Sequence, residues 1–131
     1  GSAPPAPLPL LEDIMTDNSL LGPDGKPDIN RIASLFPEHG TGEIDHSTSY
    51  GQTFTFAIQR NGPGYEAVIL SQPGYGTRSN GLHETHRLPG PNGHAKVCFA
   101  RQPTDLPTTV ALAVWWAECT SKYIRTGGNW K

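Results

Sequence analysis

Cysteine is scarce in this chain, which carries only Cys98 and Cys119. Two thiols cannot build the multi-bridge framework that staples small secreted domains, and their spacing excludes a C-x-x-C pair. Both are expected to be buried and reduced, which fits a cytoplasmic, intracellular protein. Long apolar runs are lacking too. The longest, Val110 to Ala117, falls far short of the roughly 20 residues that a membrane-crossing helix needs. Charge is sparse, at 17% of residues with a formal net charge of −2, so the strongly basic total that favours nucleic acid is missing. Several catalytic signatures are absent: there is no nucleophile elbow, no phosphate-cradling glycine loop and no catalytic-cysteine pattern. Asp24-Gly25-Lys26-Pro27-Asp28 fails as a calcium loop, because aligning Gly25 with the loop glycine puts Leu20 and Gly22 where ligating side chains are required.

Glycine and proline, in contrast, are plentiful, with 15 and 13 copies among 131 residues. That composition predicts long, ordered, irregular loops. Gly1-Ser2 resembles a tag-cleavage scar, and Ala3-Pro4-Pro5-Ala6-Pro7 an extended linker. Residues 1–7 are therefore set apart from one domain over 8–131, a length that supports a single core, and the whole is expected to be a piece of a larger intracellular bacterial protein or assembly. The charges are unevenly placed. Residues 1–50 hold eight acids against Lys26 and Arg31, whereas residues 51–131 hold eight bases against Glu66, Glu84, Asp105 and Glu118. The two halves either neutralise each other across the fold or leave a basic binding face.

Hydrophobic periodicity predicts an α+β fold. Pro9 in a first turn, with Leu10, Leu11, Ile14 and Met15 on one face, marks a short helix. Asp28 caps a second, in which Ile29, Ile32, Leu35 and Phe36 share a face until Pro37 stops it. From Thr53 the period becomes alternating, with Phe54, Phe56 and Ile58 on one side. Asn61-Gly62-Pro63-Gly64 then turns the chain into Tyr65–Ser71, a hairpin in which Gln59 is expected to face Tyr65. A second hairpin spans Glu84–Leu88 and His94–Ala100, with Ala95, Val97 and Phe99 facing inward, for about four antiparallel strands. Last comes a long helix over Thr108–Thr126, capped by Asp105 and closed by Gly127, packed on one sheet face. Its apolar arc includes Val110, Leu112, Val114, Trp116 and Tyr123. Ala111, Trp115, Glu118, Lys122 and Arg125 fall on the other side.

Three clusters could carry chemistry. His83-Glu84-Thr85-His86 lacks the zincin spacing, and in a strand His83 and His86 would point to opposite faces. Glu84 and His86 would share a face with His94 and Cys98, so His86, His94 and Cys98 are a weak zinc candidate, set against ordinary exposed sheet residues. His39-Gly40-Thr41-Gly42-Glu43-Ile44-Asp45-His46-Ser47 could donate a His and carboxylates to a hydrolytic site shared with the first cluster, but its glycines and acids fit a solvated loop better. The eleven-residue stretch Gln72–Leu82 is a long inter-strand loop in which Tyr75 could stack on a ring and Arg78 could meet a phosphate or carboxylate.

The leading expectation is a non-catalytic binding module that engages a protein partner and has no cofactor and no metal. Its candidate contacts are Tyr75, Arg78, Arg87, Arg101 and an exposed Trp115, whose neighbour Trp116 should be core. A second expectation is nucleic-acid binding by the basic C-terminal half and the 72–82 loop, through Tyr75, Arg78, Arg87 and Arg101. A third is a small hydrolase or nuclease using His83, Glu84, His86 and Arg87, which requires those side chains to converge on one concavity.

Overall fold

A computed structural model describes residues 20–130. The helix expected over Pro9–Met15 lies outside them. Helix α1, Ile29–Leu35, begins where Asp28 accepts the Arg31 backbone N–H at 3.0 Å. It ends at Phe36, whose backbone is extended, as the residue before a proline prefers.

Five strands follow: β1 Gly42–Ser47, β2 Thr53–Asn61, β3 Gly64–Ser71, β4 Arg87–Pro89 and β5 Ala95–Val97. They form one antiparallel sheet in the order β1-β2-β3-β5-β4. Strand β1 replaces the solvated loop expected there. Its two buried side chains are Ile44 and His46, and its exposed ones include Glu43 and Asp45. The alternation is regular, but a polar residue occupies one of its inner positions.

The first hairpin is one residue out of the expected register. Gln59 faces Glu66 rather than Tyr65, because Asn61 pairs with Gly64 and leaves a two-residue turn. Gly62 at φ +62° supplies the left-handed first turn position, and Pro63 the second, the pattern of a type II′ turn. A one-residue slip turns every side chain of a strand over. Tyr65, Ala67 and Ile69 thus join Phe54, Phe56 and Ile58 on the inner face. Glu66 goes to the outer face, where it is nearly buried and accepts from Gln59 (2.7 Å), Asn61 (3.2 Å) and Lys96 (3.0 Å). The second hairpin is shorter than expected. Residues 82–86 coil into turns, with the Thr85 backbone N–H and side-chain hydroxyl both donating to the Gly81 carbonyl, so pairing starts only at Arg87.

Helix α2, Leu106–Thr126, lies on the inner face of the sheet. Asp105 accepts the Thr108 N–H at 2.8 Å, and Gly127 closes the far end at φ +78°. Trp116 meets Phe54 and Phe56 edge-on at 5.7 and 6.0 Å. The apolar arc is wider than one sheet face requires, and it is rotated. Ala111 and Glu118 are buried at 6% and 5% exposure, whereas Leu112, placed inside by helical spacing, is 37% exposed. The cause is coverage from the flanks: α1 lies beside Ala111, and the turn between β1 and β2 covers Glu118. Among the described residues no helix is long and apolar enough to cross a membrane.

Candidate functional site

The 82–86 turn, with His83, Glu84 and His86, and Arg87 at the start of β4 line a groove of about 730 Å³ together with Cys98, Tyr123 and Trp130. The four residues therefore share one concavity, but two of them are already engaged. Glu84 accepts the Ser79 hydroxyl at 2.8 Å. Arg87 donates to Thr85 and to the Asn80 carbonyl, each at 2.8 Å, and lies over the Tyr75 ring. His86 takes a left-handed backbone, φ +56°, and stacks on Trp130 with ring centroids 4.1 Å apart. His94 is not among the residues lining the groove. Among the described residues, no group of three His, Cys, Asp or Glu side chains is gathered to hold a metal ion, and His86, His94 and Cys98 are no exception. Cys98, expected to be buried, is exposed.

The Tyr and Arg of the 72–82 loop both have partners within the fold. Tyr75 is 9% exposed and packs edge-on against Tyr123 at 6.1 Å. Arg78 donates to the carbonyls of Ile124 (3.2 Å) and Arg125 (3.4 Å), and Tyr123 donates to the Ser79 carbonyl at 2.7 Å. The last carbonyls of a helix have no partner within it. Here the loop folds back to supply one, and Arg78 sits where a cation also suits the helix dipole. Tyr75 and Arg78, expected as ligand contacts, thus serve in these internal contacts.

A buried polar cluster joins β1 to α2. His46 is 1% exposed, and its Nε2 lies 2.7 Å from Glu118 Oε2. The Ser49 hydroxyl donates to Glu118 Oε1 at 2.7 Å, its backbone N–H donates to both carboxylate oxygens at 3.2 Å, and Thr48 and Ser121 share a 2.8 Å hydrogen bond beside them. Burial pushes the Glu118 carboxyl up, but the hydrogen bonds from His46 and Ser49 outweigh it and hold the pKa below the ordinary 4.5. Next along the helix, burial pushes the Cys119 thiol up to about 11. Periodicity hides this cluster, because helical spacing puts Glu118 on the solvent side of α2 and composition puts His46 in a loop.

One narrow stripe of α2 reaches solvent. Between Leu106 and Tyr123 the exposed residues are Thr108, Leu112, Trp115 and Lys122. Trp115 is 40% exposed and Trp116 only 2%. Leu112 borders two grooves. One, about 390 Å³, lies between α1 and α2 and is lined by Ile29, Ala33 and Phe36; the other, about 750 Å³, is lined by Phe99, Arg101, Trp115, Trp116 and Trp130. Trp115 also borders a third, of about 290 Å³, beside Tyr50 and Lys122. The shared walls link Ile29, 62% exposed, through Leu112 to Trp115 in one apolar strip, and beyond it Tyr50, 36% exposed, lies across a groove lined also by Asp24, Lys26 and Lys122. Arg101, also exposed, stands on the strip's margin. No protein-family model, curated protein or solved structure matches this chain.

Proposed function

We propose that this chain is a protein-binding module that takes its partner on the strip along α2. The observation that carries this reading is Leu112 and Trp115, both open to solvent between two apolar grooves, on a helix whose other faces are covered. A helix apolar on all sides belongs to an interior, so its uncovered stripe favours contact with another protein surface. Trp is enriched at interface hot spots because it desolvates a large area while giving up little rotamer freedom. Arg101 adds a cation that suits an acidic group flanking an apolar anchor. The nucleic-acid reading is weaker, since Arg78 and Arg87 are held by internal hydrogen bonds and Tyr75 is buried. Panning a displayed random-peptide library on the protein should enrich apolar sequences whose binding is lost in Trp115→Ala. Failure to enrich, or enriched peptides indifferent to Trp115→Ala, would overturn the proposal.

Hydrolysis is a second reading, favoured by the convergence of His83 and His86 on one groove with Cys98. It predicts turnover of activated esters or nucleic acid that His86→Ala abolishes, and absence of any turnover removes it.

A further inference from the structure

We propose that the partner fitting this strip is a second copy of the chain, docked with the two α2 helices antiparallel across a two-fold axis. The inference rests on the reading of the strip as a protein-binding surface and names the protein that binds there.

Spacing and charge carry it. Asp105 lies seven residues before Leu112, and Lys122 seven residues after Trp115. Seven residues are close to two helical turns, so Trp115 and Lys122 fall near one line with Leu112 beside it on the same stripe, while Asp105, the N-cap just before the helix, lines both grooves that flank Leu112. A two-fold axis midway between Leu112 and Trp115 lays Leu112 of each copy on Trp115 of the other. The same rotation sets Asp105 against Lys122 at both ends. Fixing the apolar pair therefore fixes two complementary charge pairs with no further adjustment.

The parallel alternative sets Asp105 on Asp105 and Lys122 on Lys122, which repel. The antiparallel arrangement also opposes the helix dipoles, with the acidic end of α2, where Glu38 and Asp105 border the same groove, facing the basic end that carries Lys122 and Arg125. An isologous contact covers the strip on both copies at once and leaves no open end for further growth. Leu112 stands between concave spaces of about 390 and 750 Å³, which gives the partner copy's Trp115 room on either side.

Analytical ultracentrifugation of the full chain over a wide concentration range tests this. The wild-type protein should dimerise, and Trp115→Ala should weaken the dimer at least tenfold. Asp105→Lys and Lys122→Glu should each weaken it when alone, through repulsion at both ends, and an equimolar mixture should recover a heterodimer in which both charge pairs are restored. Asp105 also caps α2, so circular dichroism must show each variant folded. If Asp105→Lys does not fold, Asp105→Asn keeps a capping side chain and should still weaken the dimer.

A wild-type protein that stays monomeric, or a dimer indifferent to Trp115→Ala or to the charge variants, overturns the assignment. So does a monomer that dimerises only after residues 1–19 are removed, which would give the strip to the chain's own N-terminal segment. If the protein is monomeric while Trp115→Ala still abolishes binding of display-selected peptides, the strip serves a different protein and only the second-copy assignment fails. If both experiments fail, the binding reading falls with it.

Discussion

Replacing Glu118 with alanine removes the acceptor that holds a buried histidine and the backbone of a neighbouring turn together. The carboxylate takes the His46 Nε2 contact at 2.7 Å and, from Ser49, both the hydroxyl and the backbone N–H. In Glu118→Ala the ring nitrogen at 1% exposure loses this partner, and Nδ1 already has none. An orphaned buried polar group costs roughly 1–3 kcal/mol, and the Ser49 groups, only partly buried, recover some of their loss from water. The expected destabilisation is about 2–4 kcal/mol, the orphaned ring nitrogen together with what the Ser49 groups do not recover. The sign of the pH dependence follows from the lowered carboxyl pKa. A group whose folded-state pKa lies below its unfolded one contributes stability that is fully present above the unfolded value, near 4.5 here, and is lost as pH falls through the folded value. Urea unfolding of the wild type and Glu118→Ala at about pH 7 and about pH 3 reads both quantities from the midpoint shift at constant m. The gap should be full at the higher pH and narrower at the lower. A loss below about 1 kcal/mol at neutral pH, or a gap that does not change with pH, would refute the reasoning.

Three further outcomes are expected. Trp116→Ala should cost about 3–5 kcal/mol through the void it leaves against Phe54 and Phe56, whereas Trp115→Ser should change monomer stability by less than about 1 kcal/mol; chemical denaturation of the two variants side by side checks the contrast. Cys98 should react with a thiol reagent in the native protein while Cys119, buried and pushed to about 11, reacts only on unfolding, so colorimetric titration should count one fast thiol and then a second in denaturant. Arg78→Ala should leave two terminal carbonyls of α2 unpaired, costing about 1 kcal/mol and raising amide exchange over the last turn of the helix.

The elements that sequence pattern made legible are those in which local chemistry and tertiary surroundings agree. Asp28, Asp105 and Gly127 sit at helix ends where their side chain or backbone freedom is needed, and the β2–β3 turn lies where Gly62 and Pro63 put it. The contrast between Trp115 and Trp116 came directly from 100° of helical rotation. What stayed hidden depended on partners remote in sequence. Strand β1 does not look amphipathic because its second inner residue is a histidine, acceptable there only because Glu118, 72 residues on, supplies a hydrogen bond. Glu118 looked solvated for the same reason. Tyr75 and Arg78 suggested a ligand loop until the end of α2 took up both. The hairpin register failed by one residue because both faces of β3 are largely buried, so apolar content alone could not choose between them.

The dependence on α2 has a consequence for how the protein is made. Helix α2 is the last element among the described residues, and hydrogen bonds from the β1–β2 turn, the 72–82 loop and the 82–86 turn all reach it. As the chain emerges from the ribosome, the residues that form β1 through β5 are released while Phe54, Phe56, Ile58 and Ile69 still lack their cover. A nascent sheet in that condition presents a sticky apolar surface, the kind that aggregates or recruits chaperones. Packing of the sheet thus waits until α2 has been made, and a chain stopped before Trp116 would lose the core of the sheet's inner face together with hydrogen bonds that anchor all three loops.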